Sequence, residues 1–222
     1  SFLLPEEYQN LRPVKNYQPD NIPLDDMSDC NNEVGFLLHY IDANTVREYL
    51  PSLAFLPDDI ISQIIQRLEP YSEPVIIGRN KIRNRLGESI GITFVGLSFT
   101  SKMVSDAIRS SIGNIRKYRD SCNKGIALLL GLGIQRIGLG QYTSIIMQNG
   151  KSVSNTQVNI TSGNGFTVYA ALRVAKKAIH EEKSKKISVG IIGAAGNIGR
   201  ILSLLLSEMA DTILLVGRSG KN

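Results

Sequence analysis

The sequence predicts an α/β protein: an N-terminal α/β substrate domain followed by the first βαβ unit of a Rossmann-like NADP-binding domain. Three observations predict it. An apolar β-type run, Ile187 to Ile192, enters a glycine turn, Gly193-Ala194-Ala195-Gly196-Asn197-Ile198-Gly199. An apolar helical stretch, Arg200 to Met209, follows, and a second apolar run, Thr212 to Val216, closes the unit. Upstream, short β-type runs alternate with segments of helical period from Val34 onward. Strand, glycine turn, helix, strand is the order that builds a dinucleotide site.

Taken in order, residues 1–33 hold Pro5, Pro13, Pro19 and Pro23 with Asp20, Asp25, Asp26 and Asp29 between them, and show no period. They predict a linker or extended arm. Val34 to Ile41 predicts a strand, and Asp42 or Asn44 can cap a helix running to about Leu50. Asp58 and Asp59 lead a second helix, with Ile60, Ile61, Ile64, Ile65 and Leu68 at helical spacing, ended by Pro70 and Pro74. Val75 to Leu97 predicts a β-hairpin or meander turning at Leu86-Gly87-Glu88-Ser89. Arg79, Lys81, Arg83 and Arg85 would share one face of it. That face is either a solvated edge or a docking surface for an acidic partner.

Met103 to about Tyr118 predicts one helix with the buried stripe Val104, Ala107, Ile108, Ser111, Ile112 and Ile115. Cys122 then follows its C-terminal end as a structural thiol. A glycine-punctuated apolar segment, Gly125 to Gly140, precedes Gly140-Gln141-Tyr142-Thr143-Ser144. A further helix, Phe166 to Ile179, is predicted with Ser162 or Asn164 as N-cap. The charged run Glu181 to Lys186 connects it to the dinucleotide unit. The expected domains are therefore 1–33, 34–185 and 186–222. Ser1 in first place, and a chain that stops at Asn222 directly after the second strand of the unit, are expected of part of a larger protein.

The glycines have separate chemical reasons. Gly193 permits the tight turn, Gly196 lets the backbone approach a pyrophosphate, and Gly199 lets the helix pack closely. The helix N-terminus then offers free N–H groups and a positive partial charge to the phosphates. A dinucleotide fold usually ends its second strand on an acid that holds the ribose 2′-hydroxyl. Here Arg218 and Ser219 stand in that place, a guanidinium and a hydroxyl suited to a 2′-phosphate. NADPH is the expected cofactor.

Composition limits the other classes. Of 222 residues, 42% are hydrophobic and 20% charged, which is ordinary for a globular protein. No apolar run reaches about 18 residues, so no membrane span is expected, and SFLLPEEYQ lacks the marks of a signal peptide. A cytoplasmic location is the default. Cys30, Cys122, His39 and His180 are too few for a disulfide framework or a metal centre. The net charge of +5 suits an anionic ligand or acidic partner. Nucleic acid is not expected, because nothing interleaves basic and aromatic residues into a stacking platform.

Four pieces, in this order, resemble the long-chain acyl-[acyl-carrier-protein] reductases. They are Val34-Gly35-Phe36-Leu37-Leu38-His39; Tyr142-Thr143-Ser144-Ile145-Ile146; Ser162-Gly163-Asn164 with Thr167; and the Gly193 to Gly199 turn with Arg218. The likeness runs from about Val34 to the chain end. It implies NADPH-dependent reduction of a fatty acyl thioester, carried by acyl carrier protein or CoA, to an aldehyde. The implied acyl acceptor is a cysteine thiolate, which in the family lies well beyond the glycine turn and so outside this chain. Neither Cys30 nor Cys122 matches it, and the catalytic residue is unknown.

Thr143, Ser144, Ser162, Gly163 and Asn164 either line the cleft where nicotinamide and thioester meet or are turn and cap residues. The apolar stripes of Val34 to Ile179 would line the acyl cavity. Two other readings compete. One is a shikimate- or amino-acid-dehydrogenase-like enzyme, which would need a Lys–Asp acid/base pair that neither Lys102 nor Lys124 supplies. The other is a non-catalytic docking domain of a synthase.

Overall fold

A computed structural model describes residues 25–28, 30, 32–83, 85–110, 115–154, 157–182 and 186–217. It is a mixed α/β structure that divides into two compact units, Ser1–Thr161 and Ser162–Asn222. The first 24 residues of the predicted arm lie outside the described residues.

The first unit is a five-stranded sheet of order β2-β3-β1-β4-β5. Its strands are β1 (Asn32–Tyr40), β2 (Val75–Arg83), β3 (Ser89–Thr100), β4 (Arg136–Leu139) and β5 (Asn159–Thr161). Only β2 runs antiparallel, paired with β3 as the predicted hairpin; β1 pairs parallel with both β3 and β4, and β4 parallel with β5. Between β1 and β2 come α1 (Ala43–Tyr49) and α2 (Asp58–Leu68). Asp42 caps α1 by accepting the Thr45 N–H at 2.9 Å, as its position predicts.

The segment from Met103 to Tyr118 is not one helix. It is divided between α3 (Ser101–Ser110) and α4 (Arg116–Gly131), with 111–114 outside the described residues. The "glycine-punctuated" run therefore begins inside α4, and Cys122 sits in mid-helix rather than after one. Periodicity continued smoothly across the break, because Ile115 and Tyr118 extend the apolar spacing of α3 into α4. Gly125 lets α4 lie close to the sheet, since a Cβ there would sit 3.0 Å from Leu37 and 3.3 Å from Leu97. Close approach of this helix to the sheet buries Leu37, Val95, Leu97, Phe99, Cys122, Ile126, Leu129 and Ile137 in one core. On the other sheet face Phe36 packs edge-on against Phe94, centroids 6.2 Å apart, and lies over Gly138, where a Cβ would collide with its ring.

Ala43, Val46, Ile61 and Ile65 form a second, smaller core between α1 and α2. Of the stripes expected to line an acyl cavity, Ile61, Val104 and Leu129 are fully buried in these cores, whereas Ala107 lines a cavity of about 710 Å³ between α3 and α4. The same i, i+3, i+4 spacing marks any helix face turned to a core.

The second unit comprises α6 (Asn164–Glu181), β6 (Ser188–Ile192), α7 (Asn197–Ser207) and β7 (Thr212–Val216). The short helix α5 (Thr143–Ile146) belongs to the first unit. Strands β6 and β7 are parallel, in register from Ser188↔Thr212 to Ile192↔Val216, with α7 as the crossover. This is the predicted Rossmann-like βαβ unit. Asp211 fixes its start, its carboxylate accepting the Ile187 N–H at 2.8 Å. Helix α6, which the sequence places in the substrate domain, falls in this unit, and it extends beyond the predicted Phe166–Ile179 at both ends. No described helix is long and apolar enough to cross a membrane.

Candidate functional site

The glycine turn is built as its residues dictate. Gly193 has φ +82°, a left-handed conformation that a side chain disfavours. Its N–H and that of Ala194 both donate to the Val216 carbonyl, at 2.8 and 3.1 Å, which ties the turn to the end of β7. The Gly193 carbonyl accepts from Gly196 N–H at 2.9 Å. A Cβ at Gly199 would collide with the Gly193 carbonyl oxygen and lie 2.9 Å from the Ala194 Cα, so only glycine lets the helix start this close to the turn. Gly196 is less confined; its nearest neighbour to an added Cβ is the Gly193 oxygen at 3.3 Å. It is the N-cap of α7 and has no side chain to cap with. The first-turn N–H groups at Asn197, Ile198 and Gly199 have no intrahelical acceptors and stay available to an anion.

A dinucleotide's pyrophosphate fits this turn: the close-approach glycine, the left-handed glycine and the open helix start occur together. Gly217 follows Val216 and would place a Cβ 3.5 Å from that of Ala195. The chain therefore passes beside the turn before it reaches Arg218. Arg218 and Ser219 themselves lie outside the described residues.

In the first unit, a second constellation lies at the carboxyl ends of β1 and β4. After β1 the chain leaves toward β3, whereas after β4 it leaves toward β5. Adjacent parallel strands whose connections depart in opposite directions mark the crevice where open α/β sheets bind ligands. The turn there is held at several points. Gly140 N–H donates to Leu37 carbonyl at 3.0 Å, and His39 N–H donates to Gln141 Oε1 at 3.0 Å. Tyr142 N–H donates to His39 Nε2 at 3.1 Å. The other ring nitrogen, Nδ1, lies 2.8 Å from the Tyr40 carbonyl, which fixes the proton there. Gln141 pays for this arrangement with φ +54°. His39 is 4% exposed, its ring centroid 5.0 Å from that of Phe99, and burial pushes its pKa below the ordinary 6.5. A cavity of about 60 Å³ adjoins it, lined in part by Leu38, Tyr49, Ile77, Gly96 and Gln141.

The predicted site residues divide between these places. Thr143 is fully buried, and its hydroxyl donates to the Gly140 carbonyl at 2.6 Å; the Ser144 hydroxyl donates to the Gln141 carbonyl at 3.1 Å. Both hydroxyls brace the turn that His39 holds. Ser162, Gly163 and Asn164 open α6, but neither Ser162 nor Asn164 is its cap. Gly163 is, in the left-handed region at φ +72° and without a side-chain cap bond. The Thr167 hydroxyl donates back to the Gly163 carbonyl at 3.2 Å. Sequence reasoning passed over His39 and Gln141. Their signal was a histidine ending an apolar strand and a polar residue directly after a glycine, both weak without the strand order.

Other expectations shift with the geometry. Arg79 is not part of an open basic face: its guanidinium pairs with Glu33 at 2.7 Å, and the Thr93 hydroxyl donates to the same carboxylate oxygen at 2.6 Å. Arg85 lies in the turn after β2, not on the strand. Cys122 is buried, and desolvation pushes its thiol up to about 12, which keeps it protonated and inert. Lys102 does have a carboxylate partner, Asp106 at 2.7 Å, but the pair is a solvated i, i+4 bridge on α3. Among the described residues no cluster of His, Cys, Asp and Glu could hold a metal ion.

No family model matches the chain. A stretch of 139 residues, 61% of this chain, is 27% identical to Aminotransferase PigE of a Serratia species. The chain spans 16% of that protein's length.

Proposed function

We propose that the chain is part of an NADPH-dependent acyl-thioester reductase and that the Gly193–Gly199 turn holds the cofactor's pyrophosphate. The observation that carries this reading is the turn itself. Gly193 takes a left-handed φ, Gly199 tolerates no side chain, and α7 opens with a glycine cap beneath unsatisfied N–H groups. Arg218, with Ser219, would take the 2′-phosphate. When bound, NADPH supplies a hydride. The chain's own residues bind and orient it: the first-turn amides neutralise phosphate charge, and the turn bonded to Val216 keeps the approach rigid.

The thioester half of the proposal rests on the resemblance of the four motif pieces. Carrier, whether acyl carrier protein or CoA, and the cysteine that would accept the acyl group are part of that proposal, as is a cytoplasmic setting. The name of the Serratia relative describes a protein of which this chain matches a small share, and it brings no activity here.

The test is to supply the full-length protein with a long-chain acyl thioester and NADPH and to assay for aldehyde. Aldehyde formed in step with NADPH oxidation is expected. No aldehyde, together with turnover of a small hydroxy acid, would overturn the reading in favour of a dehydrogenase.

A further inference from the structure

The crevice between β1 and β4 contains a titratable group that the proposed reduction does not use. His39 is buried, sits at the end of β1, and makes both of its ring nitrogens structural. Nδ1–H is committed to the Tyr40 carbonyl at 2.8 Å, so Nε2 is an acceptor, and the N–H that it accepts is Tyr142 at 3.1 Å. The same residue's backbone N–H is held by the Gln141 side chain. Two of the bonds that fasten the turn after β4 to β1 therefore pass through one histidine and its neighbour in the turn, Gln141, which is itself in a left-handed conformation.

We infer that His39 is a proton-released latch: a second proton on its imidazole removes the acceptor for Tyr142 N–H and frees the turn that carries Thr143 and Ser144. A doubly protonated imidazole has donors at both nitrogens and accepts from neither. Nε2–H would then face the Tyr142 N–H donor to donor, on a ring that is 4% exposed. The cost of such an unsatisfied pair falls on the weakest support, the turn strained at Gln141, rather than on β1, which is bonded on both sides.

The groups around the ring leave its charge unrelieved. The sheet side presents Phe99 and Leu97, which are apolar. The turn presents the Tyr142 ring at 6.1 Å. Strand β1 ends on Tyr40, the β1–α1 connection carries Asp42, committed to Thr45, and α1 carries Tyr49, which lines the adjoining cavity. Helix α4 carries Tyr118, packed on Phe99, and Arg119, whose Nε donates to the Ile146 carbonyl at the end of α5 at 3.3 Å. Burial lowers the His39 pKa and only the Tyr40 carbonyl opposes it. A folded pKa below 6.5 means that the latch contributes fully above that pH and is lost as pH falls through the lowered value. The inference rests on the first unit alone and holds whatever the substrate.

The experiment is a pH titration of the whole chain by nuclear magnetic resonance, from about pH 8 to about pH 5, spanning the ordinary imidazole range. It follows the His39 ring, the Tyr142 amide and, as reference, the Ile61 amide, which is bonded to the Pro57 carbonyl. The Tyr142 amide is expected to shift with the His39 midpoint, below 6.5, while Ile61 stays fixed. In His39→Gln, whose side-chain oxygen accepts without titrating, the Tyr142 shift should disappear. A Tyr142 amide that stays fixed while His39 titrates would overturn the latch, and so would a His39 that takes no proton before the chain unfolds. A His39→Gln amide that shifts as the wild type does would overturn it equally. If His39→Gln does not fold, the wild-type midpoints decide.

Discussion

Gly199 stands so close to Gly193 that the carbonyl oxygen of one occupies the space a side chain would need on the other. The first turn of α7 is thereby pressed onto the loop that leaves β6. Gly199→Ala is therefore expected to destabilise the βαβ unit by about 1–3 kcal/mol, the usual cost of overpacking a tight contact. Gly196→Ala, with its nearest atom at 3.3 Å, should cost clearly less. Amide hydrogen exchange at β6 and β7 measures both; equal protection in the two variants would contradict the ordering.

The two thiols should behave oppositely. Cys30 is half-buried, its Sγ 3.9 Å from Met27 Sδ, whereas Cys122 is fully buried on the core side of α4. At neutral pH a thiol reagent should modify Cys30 and leave Cys122 until the unit opens. Because burial raises the Cys122 pKa from 9.0 to about 12, the unfolded chain loses that proton first as pH rises. Stability should fall above the unfolded value, and Cys122→Ala should remove that alkaline component. Mass spectrometry after timed alkylation checks the first expectation, and unfolding midpoints across pH the second.

Asp42→Ala should cost about 0.5–2 kcal/mol, the range for loss of an N-cap. The Thr45 N–H bond holds the Asp42 carboxyl below its ordinary 3.8. Its contribution is present above that value and is lost as pH falls through the lowered one. Denaturant midpoints should therefore differ between wild type and variant at neutral pH and converge in strong acid.

Arg79→Glu should weaken the first unit itself, because it sets two carboxylates, at positions 33 and 79, against each other beside Thr93. The pair is only partly screened from water, so the loss should be about 1–3 kcal/mol. A carrier-binding defect in that variant says nothing about a docking face unless the thermal midpoint is unchanged; an unchanged midpoint would contradict the structural role.

Local order was legible where chemistry acts over a few residues. The turn at Gly193, the Asp42 cap and the β2–β3 hairpin follow from glycines, a short acid side chain and paired apolar runs. What adjacency along the chain cannot encode was missed. Nothing local says that β1 lies between β3 and β4, and only that order puts His39 against Tyr142. The stripe that reads as a cavity wall in Ile61 or Val104 reads identically as core. Thr143 stayed open between a cleft-lining and a turn residue, because a hydroxyl bonded to the Gly140 carbonyl three residues back is the same residue type in the same place as a binding hydroxyl would be. Gly163 holds the N-cap position that Ser162 or Asn164 was expected to take, in a left-handed conformation and without a side-chain cap bond.

The proposed NADPH site comprises the glycine turn and the residues after β7. Its most direct test is calorimetric titration of the chain and of Arg218→Asp with NADPH and with NADH. Tighter binding of NADPH than of NADH is expected, with that preference lost in Arg218→Asp and NADH binding little altered. Equal affinities in the wild type, or an equal fall for both nucleotides in the variant, would contradict it.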